Sequence, residues 1–167
     1  MRCVPETISA IIAAMPLYDS TRAFRVARWN VGHSWLLLRS DKSEEHPSTV
    51  DVSFKPASAV CLPHTMHGLQ IAQVESGDAL LSARHLLGRP LTKWEHLFTV
   101  DSDAEHGWVV CGAVAAREDD GSSDHPPTFF SGWAPPENVR TLFSTYVDPR
   151  ERGWRPGTPS SESSPGI

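Results

Sequence analysis

Residues 49–55, "TVDVSFK", alternate without a break: Val50, Val52 and Phe54 fall on one side, Asp51, Ser53 and Lys55 on the other. An extended chain points successive side chains to opposite faces, so this period of two predicts a β-strand whose apolar face covers a core. Pro56 has no N–H for a ladder, and "ASAVCL" (57–62) is therefore expected as a bent continuation or an edge strand.

Working outward, "TRAFRVARWN" (21–30) and "SWLLLRS" (34–40) flank a turn at Asn30–Gly32 and read as a hairpin. Downstream, "GLQIAQVE" (68–75) resumes the alternation. "WEHLFTV" (94–100) and "WVVCGAVAA" (108–116) add two strands, and the nearly unbroken apolar run of the second predicts a central position.

Three helices are expected to cover this sheet. Ile8, Ile11, Ile12 and Met15 form one stripe over residues 6–15. Residues 78–87 carry Asp78 as N-cap, Leu80, Leu81, Leu86 and Leu87 as apolar positions, and Gly88 with Pro90 as the stop. Val139, Leu142, Phe143 and Tyr146 have helical spacing over 137–147. The predicted fold class is α+β: one domain over 1–147, a mostly antiparallel sheet of about six strands with two or three covering helices. The Pro-, Ser- and Gly-rich stretch 148–167 reads as a disordered tail.

The 167 residues contain 15 Lys plus Arg against 20 Asp plus Glu, a net charge of −5 that does not attract nucleic acid or an acidic membrane face. No run approaches the ~20 apolar residues of a spanning helix. Cys3, Cys61 and Cys111 are odd in number and widely spaced, which is not a disulfide framework, so a cytoplasmic location is expected. Neither G-x-x-x-x-G-K-[ST] nor G-x-G-x-x-G occurs, and "GHSWL" and "FFSGW" both fail the nucleophile-elbow pattern, which disfavours those enzyme classes.

Two groups of residues carry candidate chemistry. Arg22, Arg25, Arg28 and Arg39 are interleaved with Phe24, Trp29 and Trp35 on the predicted hairpin. If Arg and Trp share a face they form a cation–π and hydrogen-bonding surface for an acidic protein partner. The alternative is that the tryptophans fill the core and the arginines bridge acids such as Asp19 or Asp41. In "CLPHTMHG" (61–68), Cys61, His64 and His67 carry zinc-ligand chemistry, with His96 or Cys111 as a possible fourth ligand, but no second knuckle completes the pattern. Otherwise Cys61 is a small buried residue and the histidines face solvent.

The function expected from these readings is a non-enzymatic protein-interaction module, of the kind immunity or accessory proteins provide, working through Arg22, Arg25, Arg28, Trp29, Trp35 and Arg39. The alternatives are a zinc-binding protein using Cys61, His64 and His67, and a small-ligand-binding domain, since ligand pockets leave no linear motif.

Overall fold

The computed structural model describes residues 16–75, 78–120, 127–131 and 138–146. The strands are β1 (Tyr18–Asn30), β2 (Trp35–Ser40), β3 (Thr49–Cys61), β4 (Thr65–Val74), β5 (His96–Asp101), β6 (His106–Asp119) and β7 (Val139–Ser144). A helix, α1 (Asp78–Leu87), joins β4 to β5, and short 3-10 turns lie at Val31–His33 and Thr128–Ser131. Among the described residues no helix is long and apolar enough to cross a membrane.

The expected α+β class is overturned. The strands follow the order β3-β2-β1-β4-β5-β6-β7, every pairing is antiparallel, and β3 also pairs with β6 from Thr49↔Asp119 to Cys61↔Trp108. That last ladder rolls β1 to β6 into a closed six-stranded barrel, with β7 added on β6 beyond the end of β5. Closure is possible because β1, β3 and β6 are long and because β1 and β3 are irregular. β1 carries extra residues between Ser20 and Ala23 and between Val26 and Arg28, β3 carries one between Ala57 and Ala59, and a bulge sharpens the bend of a strand enough for its two halves to serve different neighbours.

The alternation read from residues 49–55 holds. Val50, Val52 and Phe54 point into the lumen, where they meet Phe24, Leu36, Leu38, Ile71, Phe98 and Val109. Fully burying such a side chain contributes about 1.5–3 kcal/mol, so this filled lumen is the main store of stability. β3 continues through Pro56 with a shift of register between Ala57 and Ala59, as the bent continuation expected there, and the facing strand makes room for the proline. A Cβ at Gly112 would lie 2.7 Å from the Pro56 ring, so glycine lets β6 pass. β3 and β4 follow one another through Leu62–His64, yet they pair with other strands.

Of the three expected helices, 78–87 is present as α1. The helix expected at 6–15 and the tail at 148–167 lie outside the described residues. The helix expected at 137–147 is replaced by β7, which pairs with β6 through Arg117↔Thr141 and Ala116↔Phe143. Leu142 is the extra residue of that bulge, and both it and Phe143 reach the core cluster. The bulge is therefore what produces the apolar spacing that resembles a helix.

One end of the barrel is finished by specific contacts. There the Tyr18 ring stacks on Phe143 with centroids 5.5 Å apart. Beside it the Arg22 guanidinium donates to the Ser48 carbonyl (2.8 Å) and hydroxyl (2.6 Å) and pairs with Glu118 (3.3 Å). Glu118 also accepts from Ser48 (2.5 Å) and from Arg140 of β7. These donors hold its carboxyl below the usual range, the Ser48 hydrogen bond most strongly.

Candidate functional site

On the outer face of β2, β3 and β6 the side chains that alternate away from the lumen are covered by the turn Thr128–Ser131. Asp51 lies on that face and is 0% exposed. Its carboxylate accepts from Arg39 twice (2.7 and 2.9 Å) and from the Thr128 N–H (2.8 Å) and hydroxyl (3.2 Å). The hydrogen bonds from Arg39 to Asp51 raise the guanidinium's affinity for its proton. Arg117, also buried, donates to the Thr128 carbonyl at 3.1 Å, and its guanidinium lies 4.4 Å from the Phe129 ring centroid. Desolvation by burial lowers the Arg117 pKa. One carboxylate and one guanidinium thus fasten the turn to the barrel as a strap.

Beside the strap is a cleft of about 160 Å³ lined by Trp35, Ser53, Lys55, Ala113, Val114, Ala115, Phe129 and Tyr146. Barrel strands make its floor: β2 supplies Trp35, β3 supplies Ser53 and Lys55, and β6 supplies residues 113–115. The strap supplies Phe129, and Tyr146 follows β7. The buried Trp35 indole donates to the Ser53 hydroxyl at 2.7 Å, and the Lys55 ammonium lies 5.8 Å from the Trp35 ring centroid. Three aromatic rings and two polar groups on one strand can hold a small, partly apolar molecule. A second crevice, of about 400 Å³, lies between β1, β4 and the β5–β6 turn. It is lined by Asp19, Asp101, Asp103 and His106, with no Phe, Tyr or Trp among the described lining residues; His106 Nδ1 is 2.9 Å from Asp101.

The arginines and tryptophans of the hairpin do not form one surface. Arg22 closes the barrel end, Arg39 anchors the strap through Asp51, and Arg25 pairs with Asp41 at 3.0 Å in solvent. Trp35 is buried in the wall of the cleft. Register places Trp29 opposite Leu36, which faces the lumen, and Arg28 opposite Leu37, so the two point to different sides of the strand. Arg28, Trp29 (42% exposed) and Val31 (73% exposed) remain at the hairpin tip.

The Cys/His stretch does not converge either. Cys61 packs half-buried on the outer face beneath α1, whereas His64 and His67 are exposed. Cys111 belongs to the lumen cluster, and the His96 ring packs edge-on against the lumen residue Phe98 at 6.4 Å, so both stand across the wall from Cys61. Among the described residues no group of three or more His, Cys, Asp or Glu is placed to hold a metal ion. Burial raises the pKa of the Cys111 thiol far above its ordinary value, which makes it unreactive.

Sequence reasoning set Asp51, Ser53 and Lys55 on the outward face and stopped there. Phe129 and Tyr146 it did not single out for a site. The usable signal was Phe129 and Phe130 following the polar stretch 117–128, since rings placed beyond a polar loop need something to cover. Comparison of the chain with models of known protein families, with curated proteins and with solved structures returns no match.

Proposed function

We propose that this protein is a small-ligand-binding domain whose seat is the outer cleft between Trp35, Lys55, Phe129 and Tyr146. The supporting observation is a concave, ring-walled space built on a rigid barrel wall. Its volume of about 160 Å³ is close to the roughly 150 Å³ of an apolar cavity that accepts benzene, so it suits a body of one ring. The floor strands are paired on both sides, and a seat on paired strands keeps its shape when empty, which lowers the ordering cost of binding.

Benzyl alcohol serves as the test ligand, with the indole N–H resonances of the six tryptophans as reporters. The Trp35 signal is expected to move and saturate while that of Trp108, on the opposite outer patch, stays still. Tyr146→Ala should weaken binding several-fold. A Trp35 signal that does not respond would overturn this reading.

A second reading rests on the hairpin tip, where Trp29 and Val31 stand in solvent beside Arg28. Exposed aromatic and arginine side chains are typical anchors for a protein partner, here one with an acidic surface. Trp29→Ala with Val31→Ser should abolish capture of such a partner and leave benzyl alcohol binding unchanged. Undiminished capture would remove the tip from consideration.

A further inference from the structure

The polar groups of the cleft are all able to donate, and that bias identifies a ligand class. Ser53 and Lys55 are two residues apart on β3, so both project from its outer face into the same space. An indole nitrogen can only donate. The 2.7 Å contact from Trp35 Nε1 therefore makes the Ser53 oxygen the acceptor and directs the hydroxyl hydrogen elsewhere. Ser53 is only 7% exposed, and no described residue takes that hydrogen. A buried hydroxyl lining a cleft with its proton uncommitted favours a ligand that brings an acceptor.

Lys55 adds the charge. Its ammonium leans over the Trp35 ring, and no carboxylate pairs with it among the described residues. The backbone offers little to compete: the Val114 carbonyl is taken by the Thr145 N–H, and Ala113 and Ala115 are paired with Lys55 and Ser53 in the β3–β6 ladder. Among the described residues no side chain in the lining is a carboxylate or an amide. An amine placed here would find no anion and would be repelled by Lys55.

Resting on the reading of the cleft as a ligand seat, we propose that its ligand is a one-ring carboxylate. The ring lies between Phe129 and Tyr146, one carboxylate oxygen accepts from the Ser53 hydroxyl, and the other pairs with the Lys55 ammonium. A carboxylate matches two donors on one strand. A phosphate is normally met by Arg or by several backbone N–H groups at once, neither of which lines this cleft. The chain's net charge of −5 gives no long-range attraction for an anion, so selection is made by these two contacts at short range.

The experiment titrates the full chain with benzoate, benzyl alcohol, benzylamine and phenyl phosphate, following the Trp35 indole resonance. Charge-assisted hydrogen bonds should make benzoate bind about ten-fold tighter than benzyl alcohol, with benzylamine weakest. Lys55→Met, a change at an exposed position, should erase the preference for benzoate over benzyl alcohol, and Lys55→Arg should restore it. Equal binding of benzoate and benzyl alcohol overturns the carboxylate assignment and leaves the cleft standing. Tighter binding of phenyl phosphate than of benzoate overturns it in favour of a phosphate ester. Failure of every probe to move Trp35 removes the cleft itself, and the assignment with it.

Discussion

Among the described residues the barrel wall is covered on its outside in two places, and the covers are attached in opposite ways. Under α1 the wall presents Leu97, Trp108 and Val110, and the helix lays Leu80, Ala83 and Leu87 on them. The residues that meet there are apolar side chains, and among the described residues the buried Trp108 Nε1 has no hydrogen-bond partner. Under the strap the wall presents Asp51 and Arg117, which hold Thr128 through directed hydrogen bonds, and Arg39, which donates to Asp51. Apolar contacts are non-directional and adjust until surfaces meet. Directed bonds fix a segment at one point and let a gap persist beside it, and the cleft lies beside the strap.

The largest test of this contrast is Asp51→Ala. It leaves the half-buried Arg39 without its carboxylate and Thr128 without its acceptor, and breaking a largely buried pair from one side costs about 3 kcal/mol. Urea denaturation should show the loss, hydrogen exchange at the Thr128 amide should speed up, and benzyl alcohol binding should weaken as Phe129 loosens. A change in stability below about 1 kcal/mol, the scale of an ordinary surface contact, would mean that the strap is held by something else.

Leu97→Ala, beneath the other cover, should cost about 2–4 kcal/mol through lost burial and a residual cavity. It should leave ligand affinity in the cleft unchanged, because α1 contributes nothing to that site. An equal loss of affinity in Leu97→Ala and Asp51→Ala would dissolve the distinction between the two covers.

Acid should separate the regions further. The Glu118 carboxyl at the barrel end is held below its ordinary value by Ser48, Arg140 and Arg22. Its contribution is therefore complete above the unfolded-state pKa near ~4.3 and is lost as pH falls through the lower folded value. Stability should drop on acidification below about pH 4, and less steeply in Glu118→Gln. Parallel acid profiles for the two proteins would show that the carboxylate has no such role.

The smallest expected effect compares two buried indoles. Trp35→Phe removes an N–H that bonds Ser53, whereas Trp108→Phe removes one that bonds no described residue. Freeing an unsatisfied donor recovers about 1–3 kcal/mol, which offsets the smaller ring, so Trp108→Phe should be neutral to within about 1 kcal/mol while Trp35→Phe is destabilising. Equal losses would show that the Trp108 donor is satisfied.

What could be read from the chain was local. Alternation at 49–55 set the faces of β3, and the stop at Gly88 and Pro90 marked the end of α1. Closure of the barrel was not legible, because it depends on Cys61 meeting Trp108 and Thr49 meeting Asp119, and no periodicity encodes which strands meet. The β7 segment misled through its bulge, where tertiary pairing overrides spacing. Outward also proved different from exposed: Asp51 faces away from the lumen and is still inaccessible, since a later part of the chain lies over it. The cleft was invisible for the same reason, its walls being brought together from β2, β3, β6, the strap and the residues after β7.

The solid lumen has a consequence for how this protein changes over generations. Phe24, Phe54 and Phe98 interlock there, so variation inside is penalised by strain or voids at almost every position. Lys55, Phe129 and Tyr146 sit outside that interlock. A lineage can exchange those side chains, and with them the molecules it recognises, without renegotiating the scaffold that carries them.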